Sequence, residues 1–220
     1  LTTRRQRQMC IRDRNITADA FTDPFPHLIF HNFYDDQELD LIWEELNFYT
    51  KPNKLFDVKD YNGVVGYTKS KAIQLDLVYS GMNRKLSNIL EVSRKVFDNK
   101  ILEPFSNLSD CCSQAKSCNW DVTKVRYYHN NDYYKPHTDN YFQFLAFSYF
   151  YQEPKKFSGG NLIFPKYDYE FTCDHNSLIM MPSWVEHGVG KVKIEDSDYY
   201  DGLGRYAITH FFSCKEKLKS

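Results

Sequence analysis

Three residues of the chain have the types and spacing that hold a divalent metal. Pro136-His137-Thr138-Asp139 sets an imidazole two positions before a carboxylate. In an extended strand, residues two apart project from one face, so both side chains can reach one point. His187 stands at the head of a His-Gly-Val-Gly-Lys-Val run and offers a third ligand. Two imidazoles and a carboxylate suit Fe(II) and leave coordination positions open. A lone His-x-Asp pair is more often an exposed turn. His27, His31, His129, His175 and His210 compete for the third position, none with a carboxylate at so suggestive a spacing.

Arg205 follows in Gly204-Arg205-Tyr206-Ala207-Ile208-Thr209. A cation inside an apolar strand is costly without a neutralising partner. A dicarboxylate would supply one in the two-pronged geometry that guanidinium favours, and a structural Asp or Glu would also serve. Gly159-Gly160-Asn161-Leu162 pairs glycines at the start of a strand, which permits a close backbone approach near a site or merely a turn.

These residues need a scaffold, and the sequence predicts strands. Apolar runs at Val122–Tyr128, Phe142–Tyr151, Asn161–Phe164, Ser177–Met181, His187–Val192 and Arg205–Ser213 are separated by Asn-Asn, Pro and Gly turn signals. Such spacing predicts a mainly β fold, a double-sheet jelly roll or barrel, with helices covering one sheet. An opening strand near Phe25–Phe30 precedes a helix capped by Asp35 or Asp36, with Leu39, Ile42, Trp43 and Leu46 on its buried side. A second helix is expected from Met82 to Phe97, its buried side formed by Met82, Leu86, Ile89, Leu90, Val96 and Phe97. The segment from Asn107 to Asn119 reads as a loop.

Length and composition bound the rest. The chain has 220 residues, a formal net charge of -1, 42% hydrophobic residues and 17 each of Tyr and Phe. This favours one sheet-rich domain over 21–220 and gives no reason to expect a nucleic-acid or membrane partner. Residues 1–20 are expected to be a disordered or non-native tail, since LTTRRQRQMCIRDR is basic, lacks periodicity and resembles a translated adapter sequence. With no secretory signal in view, Cys10, Cys111, Cys112, Cys118, Cys173 and Cys214 read as reduced thiols of a cytoplasmic protein. Cys111, Cys112 and Cys118 lack the second pair that a zinc knuckle needs.

Taken in order, a Tyr-rich strand, His137-x-Asp139, Gly159-Gly160-x-Leu162, Pro182-x3-Glu186-His187 and Arg205 resemble the prolyl-4-hydroxylase-like Fe(II)/2-oxoglutarate dioxygenases. The resemblance spans roughly 122–213. It implies a double-stranded β-helix, a cupin-like jelly roll, in which His137, Asp139 and His187 bind Fe(II). It further implies that Arg205 binds the distal carboxylate of 2-oxoglutarate, helped by Tyr127 or Tyr128, of which strand alternation lets only one point inward. Thr209 would replace the Ser or Thr that some branches carry two residues after the arginine, where Ala207 stands here. O2 is the implied oxidant, with ascorbate as an accessory reductant, and the expected activity is hydroxylation. Substrates open to the family include prolyl or other protein side chains, amino acids, nucleobases and small metabolites. Trp184, Tyr133, Tyr134, Tyr141 and Phe142 are candidates for a stacking wall, although such aromatics more often pack strands. The acidic segment 194–202 reads as a solvated loop, or as a lid that would favour a cationic substrate. The competing functional class is a cupin-like protein that holds a metal without turnover, or a jelly roll in which the His and Asp are incidental.

Overall fold

The structure, a computed structural model, describes residues 7–10, 16–50, 54–61, 64–195 and 198–214. In chain order its strands are β1 (Arg7–Cys10), β2 (Thr17–Phe21), β3 (His27–His31), β4 (Phe56–Tyr61), β5 (Val64–Gln74), β6 (Trp120–Tyr128), β7 (Tyr133–His137) and β8 (Phe144–Phe150). Then come β9 (Phe157–Gly159), β10 (Leu162–Phe164), β11 (Tyr169–Phe171), β12 (Ser177–Pro182), β13 (His187–Val189), β14 (Val192–Ile194) and β15 (Arg205–Ser213). The α-helices are α1 (Asp36–Thr50), α2 (Leu75–Val78), α3 (Asn88–Val92) and α4 (Asn99–Ser106).

The main sheet runs β1-β2-β3-β12-β8-β15-β6-β5 and continues through β7-β13-β10-β11, with every pairing antiparallel. The curl happens at β5. Its C-terminal half pairs with β6, as Lys71↔Tyr127, and its N-terminal half pairs with β7, as Thr68↔Tyr134. One long strand therefore belongs to both layers and closes them into the expected jelly roll. A separate β9–β14 ribbon sits beside it.

Alternation along the central strands divides two cores. Tyr206, Ile208 and Phe212 of β15, Val125 and Tyr127 of β6, and Leu178 and Met180 of β12 pack under the helices. Ala207, Phe211, Leu145, Phe147, Tyr149, Ile179 and Met181 fill the space between the layers. Both faces of β8 and β12 are thus buried, which explains their unbroken apolar runs. Asp35 caps α1: its carboxylate accepts from the Glu38 N–H at 3.0 Å, and the Glu38 carboxylate accepts from the Asp35 N–H at 2.9 Å. Ile42 and Leu46 of α1 are fully buried, as their spacing predicts.

The helix expected from Met82 to Phe97 is broken. A 3-10 turn (Gly81–Leu86), α3 and a second 3-10 turn (Ser93–Phe97) take its place, and Met82 and Leu86 are exposed. Ser87 makes the break. It is extended, its Oγ accepts from the Leu90 N–H at 3.1 Å, and its hydroxyl donates to the buried Glu45 carboxylate at 2.8 Å. An N-cap anchored by α1 outweighs the helical periodicity around it. The expected Asn107–Asn119 loop holds a 3-10 helix (Asp110–Ser117), and α4 precedes it with Ile101, Leu102 and Phe105 buried.

The boundary expected at residue 20 falls inside β2, whose Ala18 and Ala20 are buried against β3, and β1 pairs with β2. Residues 1–6 and 11–15 of the expected tail lie outside the described residues. No helix among the described residues is long and apolar enough to cross a membrane.

Candidate active site

His137 ends β7, His187 begins β13, and the two residues face each other across that strand pair. Asp139 is not on the strand, contrary to the reading from alternation. It lies two residues past the end of β7, where its N–H donates to the Ser183 carbonyl at 3.1 Å and its carbonyl accepts from the Phe142 N–H at 3.0 Å. This turn brings its Oδ2 to 3.8 Å from His137 Nε2 and 3.5 Å from His187 Nε2. One ligand atom from each of the three lies within 4.8 Å of the others.

The backbone selects the useful imidazole tautomers. His137 Nδ1–H donates to the Lys135 carbonyl at 2.9 Å, and His187 Nδ1–H donates to the Val185 carbonyl at 3.0 Å. A carbonyl only accepts, so each ring keeps its proton on Nδ1 and directs the Nε2 lone pair at the common point. Burial also keeps both rings neutral. It lowers the affinity of His187 for a proton, and burial, reinforced by neighbouring His187, pushes His137 down to about 3. Burial raises the Asp139 carboxyl. A divalent cation would relieve that cost.

The three side chains open on a cavity of about 670 Å³, its mouth included. Tyr128, Tyr149, Arg205, Ala207 and Thr209 line its sheet wall, and Leu162 and Val189 lie across it. Arg205 is 2% exposed. Its guanidinium lies 4.9 Å from the Tyr128 ring centroid and 4.8 Å from that of Tyr149. Nη2 reaches only Cys173 Sγ, at 3.4 Å, and Nε, Nη1 and the Tyr149 hydroxyl have no hydrogen-bond partner. Buried donors of this kind are rare without a ligand to accept from them. Among the described residues no Asp or Glu neutralises the arginine, which does not favour the structural alternative left open by the sequence.

Between the two tyrosines, the register decides. Tyr128 pairs with Arg205 and lines the cavity. Tyr127 lies on the opposite face, in the core under the helices, where its hydroxyl accepts from the Gly204 N–H at 3.0 Å. Its expected contact with a co-substrate is therefore withdrawn. Tyr134, Tyr141 and Phe142 of the expected aromatic wall line the cavity. Tyr133 instead turns its hydroxyl to the Gly66 carbonyl at 2.9 Å, and Trp184 lines a neighbouring cleft. No described residue of the acidic segment 194–202 lines the cavity, and Tyr199 ties that segment to Asp132 at 2.8 Å. Lys124 and Arg126 also face the cavity, although their sequence carries no sign of it.

Gly160 has a positive φ of 69°, and a Cβ there would lie 2.8 Å from Val192 Cγ2 and 3.0 Å from Arg205 Cδ. The close approach that the Gly-Gly pair permits is therefore to the stem of Arg205. Gly160→Ala is expected to cost about 1–3 kcal/mol in stability, from left-handed strain and the clash. It should also displace the guanidinium and weaken carboxylate binding more than metal binding; denaturant titration and parallel binding isotherms would check this.

Neutral burial of histidine has a pH signature. His137 at about 3 and His210, which burial pushes down to about 4, bind protons less readily folded than unfolded. Stability is then fully present above the unfolded value near 6.5 and falls as pH drops toward the folded values. Between pH 6.5 and 5.5 each should cost about 1 kcal/mol. Urea titrations of metal-free protein at the two pH values should show the lower pH less stable, and replacing both histidines should remove about 2 kcal/mol of that difference.

No protein-family model matches the sequence, and comparison with curated proteins finds no relative. Solved structures do match. A Pseudomonas putida prolyl-4-hydroxylase superposes with a TM-score of 0.57 at 13% identity, covering 86% of this chain and 93% of its own. A Burkholderia pseudomallei oxidoreductase of the 2OG-Fe(II) oxygenase family gives 0.57 at 14%, covering 85% and 84%. The fold is that of the 2OG-Fe(II) oxygenases. NgTET1 in complex with 5mC DNA shares this oxygenase fold, with a TM-score of 0.56 at 13% identity over 90% of this chain and 77% of its own. At such identities the likeness concerns the oxygenase fold and leaves the chemistry to the site itself.

Proposed function

We propose that the protein is a non-haem Fe(II)/2-oxoglutarate-dependent dioxygenase that hydroxylates a C–H bond of its substrate. The observation that carries this is the pairing, in one cavity, of the His137, Asp139 and His187 cluster with a buried arginine two of whose nitrogens have no acceptor among the described residues. A metal-binding protein without turnover would need the first feature but not the second.

The donor set fits Fe(II): His137, His187 and Asp139 would hold it with two neutral imidazoles and one carboxylate, a set that leaves coordination positions for other ligands. Arg205 fits the distal carboxylate of 2-oxoglutarate, which would accept from Nε and Nη1 and satisfy both. Tyr149 would supply a further hydroxyl donor to the same carboxylate. Tyr128 and Tyr149 hold the guanidinium between their rings and fix the direction of its fork. Thr209 lines the same wall. Bound here, iron and 2-oxoglutarate supply the oxidation, in which O2 converts the keto acid to succinate and CO2 and the substrate C–H to C–OH. The chain holds both in place, keeps the imidazoles deprotonated at Nε2 and lines the pocket with Phe147, Leu162 and Val189, which exclude water. The substrate belongs to the range of prolyl or other protein side chains, amino acids and small molecules.

The test is turnover. Protein supplied with Fe(II), 2-oxoglutarate and O2 should release succinate even without substrate, at a slow uncoupled rate. Metal binding with no O2-dependent succinate would instead establish a non-catalytic metal-binding protein.

A further inference from the structure

The oxygenase fold leaves open what enters the cavity, but the charges on its wall do not. Alternate residues of β6 face inward, so Lys124, Arg126 and Tyr128 form a row, paired in register with Thr209, Ala207 and Arg205 of β15. Tyr128 and Arg205 are almost fully buried in this row, and Lys124 is half-buried. Arg126 is 9% exposed and makes one hydrogen bond, from Nη1 to Ser70 Oγ at 3.2 Å. Its guanidinium lies 4.8 Å from the Tyr134 ring centroid, and that ring stacks on His137 at 3.9 Å. Lys124 places its ammonium 5.1 Å from the Phe211 ring centroid. Among the described residues neither cation forms an ion pair. Asp139 and Asp76 act on Lys124 from a distance, and the Asp76 carboxylate accepts from the Thr123 N–H at 3.0 Å and from Gln74 at 3.1 Å.

Among the described residues Asp139 is the only acid that lines the cavity, against Lys124, Arg126 and Arg205. On the reading proposed above, on which this inference rests, the charges of a divalent metal, Asp139, Arg205 and 2-oxoglutarate cancel one another. Lys124 and Arg126 are then left over in a half-closed space where a cation without a partner is unfavourable. We infer that the substrate is a small molecule carrying a carboxylate or phosphate, received by Lys124 and Arg126. Same-face neighbours on a strand lie about 7 Å apart, so an anion between them touches both. Only the Tyr134 ring separates Arg126 from His137, so the anionic group sits a few bonds from the carbon that reacts. Arg126 is buried and Lys124 half-buried, which suits an anion carried in on a compact molecule.

The test uses protein loaded with Mn(II), a redox-silent stand-in for iron, and 2-oxoglutarate. Calorimetric titration would compare N-acetyl amino acids with their amides, and nucleoside 5′-monophosphates with their nucleosides. In at least one pair the anionic member should bind more than about tenfold tighter, and the pair in which it does so separates carboxylate from phosphate. Lys124→Met should reduce that preference to about threefold or less, and Lys124→Glu should reverse it, with the Kd for 2-oxoglutarate changed less than about twofold in both. Equal or tighter binding of the neutral member in every pair would overturn the inference. So would a preference that survives both Lys124 variants and Arg126→Gln, or a loss of 2-oxoglutarate affinity in these variants, which would assign the cations to the co-substrate. Wild-type protein that shows no Mn(II)-dependent 2-oxoglutarate binding would overturn the oxygenase reading and this inference together. Intact 2-oxoglutarate binding without an anion preference would overturn the inference alone.

Discussion

Arg205→Met should leave a protein that is more stable without ligand and nearly blind to 2-oxoglutarate. The two effects have one cause. Arg205 is buried, and among the described residues no carboxylate neutralises it and two of its nitrogens have no acceptor. In the ligand-free state such a group pays a desolvation cost without return, and replacing buried charge by an apolar side chain of similar length often stabilises by about 1–4 kcal/mol. Binding depends on the same charge, and removing one partner of a buried, hydrogen-bonded ion pair costs about 2–5 kcal/mol, which is at least some thirtyfold in Kd. Denaturant titration and 2-oxoglutarate isotherms on the same preparation give both signs. A structural arginine would show destabilisation instead. Metal affinity should change little, because the guanidinium does not touch the cluster.

Asp139→Ala is expected to abolish coupled turnover, lowering kcat/KM by at least about a thousandfold, or about 4 kcal/mol of barrier. It should do so without unfolding the protein. Burial raises the Asp139 carboxyl, so the ligand-free fold bears a cost for this group that the variant removes. The informative quantity is the stabilisation produced by metal. At a hundred times its Kd, a metal should stabilise wild-type protein by about 2.7 kcal/mol, and at the same concentration the variant should gain much less. Melting curves with and without Mn(II) measure this. Normal succinate and product yields in the variant would remove Asp139 from the centre.

What could be read from the sequence depended on how far each feature reached. β15 has its predicted bounds, because an apolar run bordered by Gly204 announces itself locally. The cluster was legible for a similar reason, although Asp139 joins it through a turn pinned to Ser183 and not through strand alternation. The choice between Tyr127 and Tyr128 was not legible. It depends on the register of β6 against β15, which two strands separated by more than seventy residues settle only when paired. The break at Ser87 depends likewise on Glu45, a partner from another helix. Nothing local to the Val122–Tyr128 run sets Lys124 and Arg126 apart. Only the curl at β5, which folds that face against β7 and β13, turns them into the wall of a cavity.

The central claim is that one open metal and one buried arginine hold a single keto acid. The most direct measurement is an anaerobic titration of Fe(II)-loaded protein with 2-oxoglutarate, followed in the visible spectrum. A weak charge-transfer band should grow with saturation in the wild type, disappear in Asp139→Ala, and require far more 2-oxoglutarate in Arg205→Met. Folded wild-type protein that binds Fe(II) and shows no band at any 2-oxoglutarate concentration would contradict it.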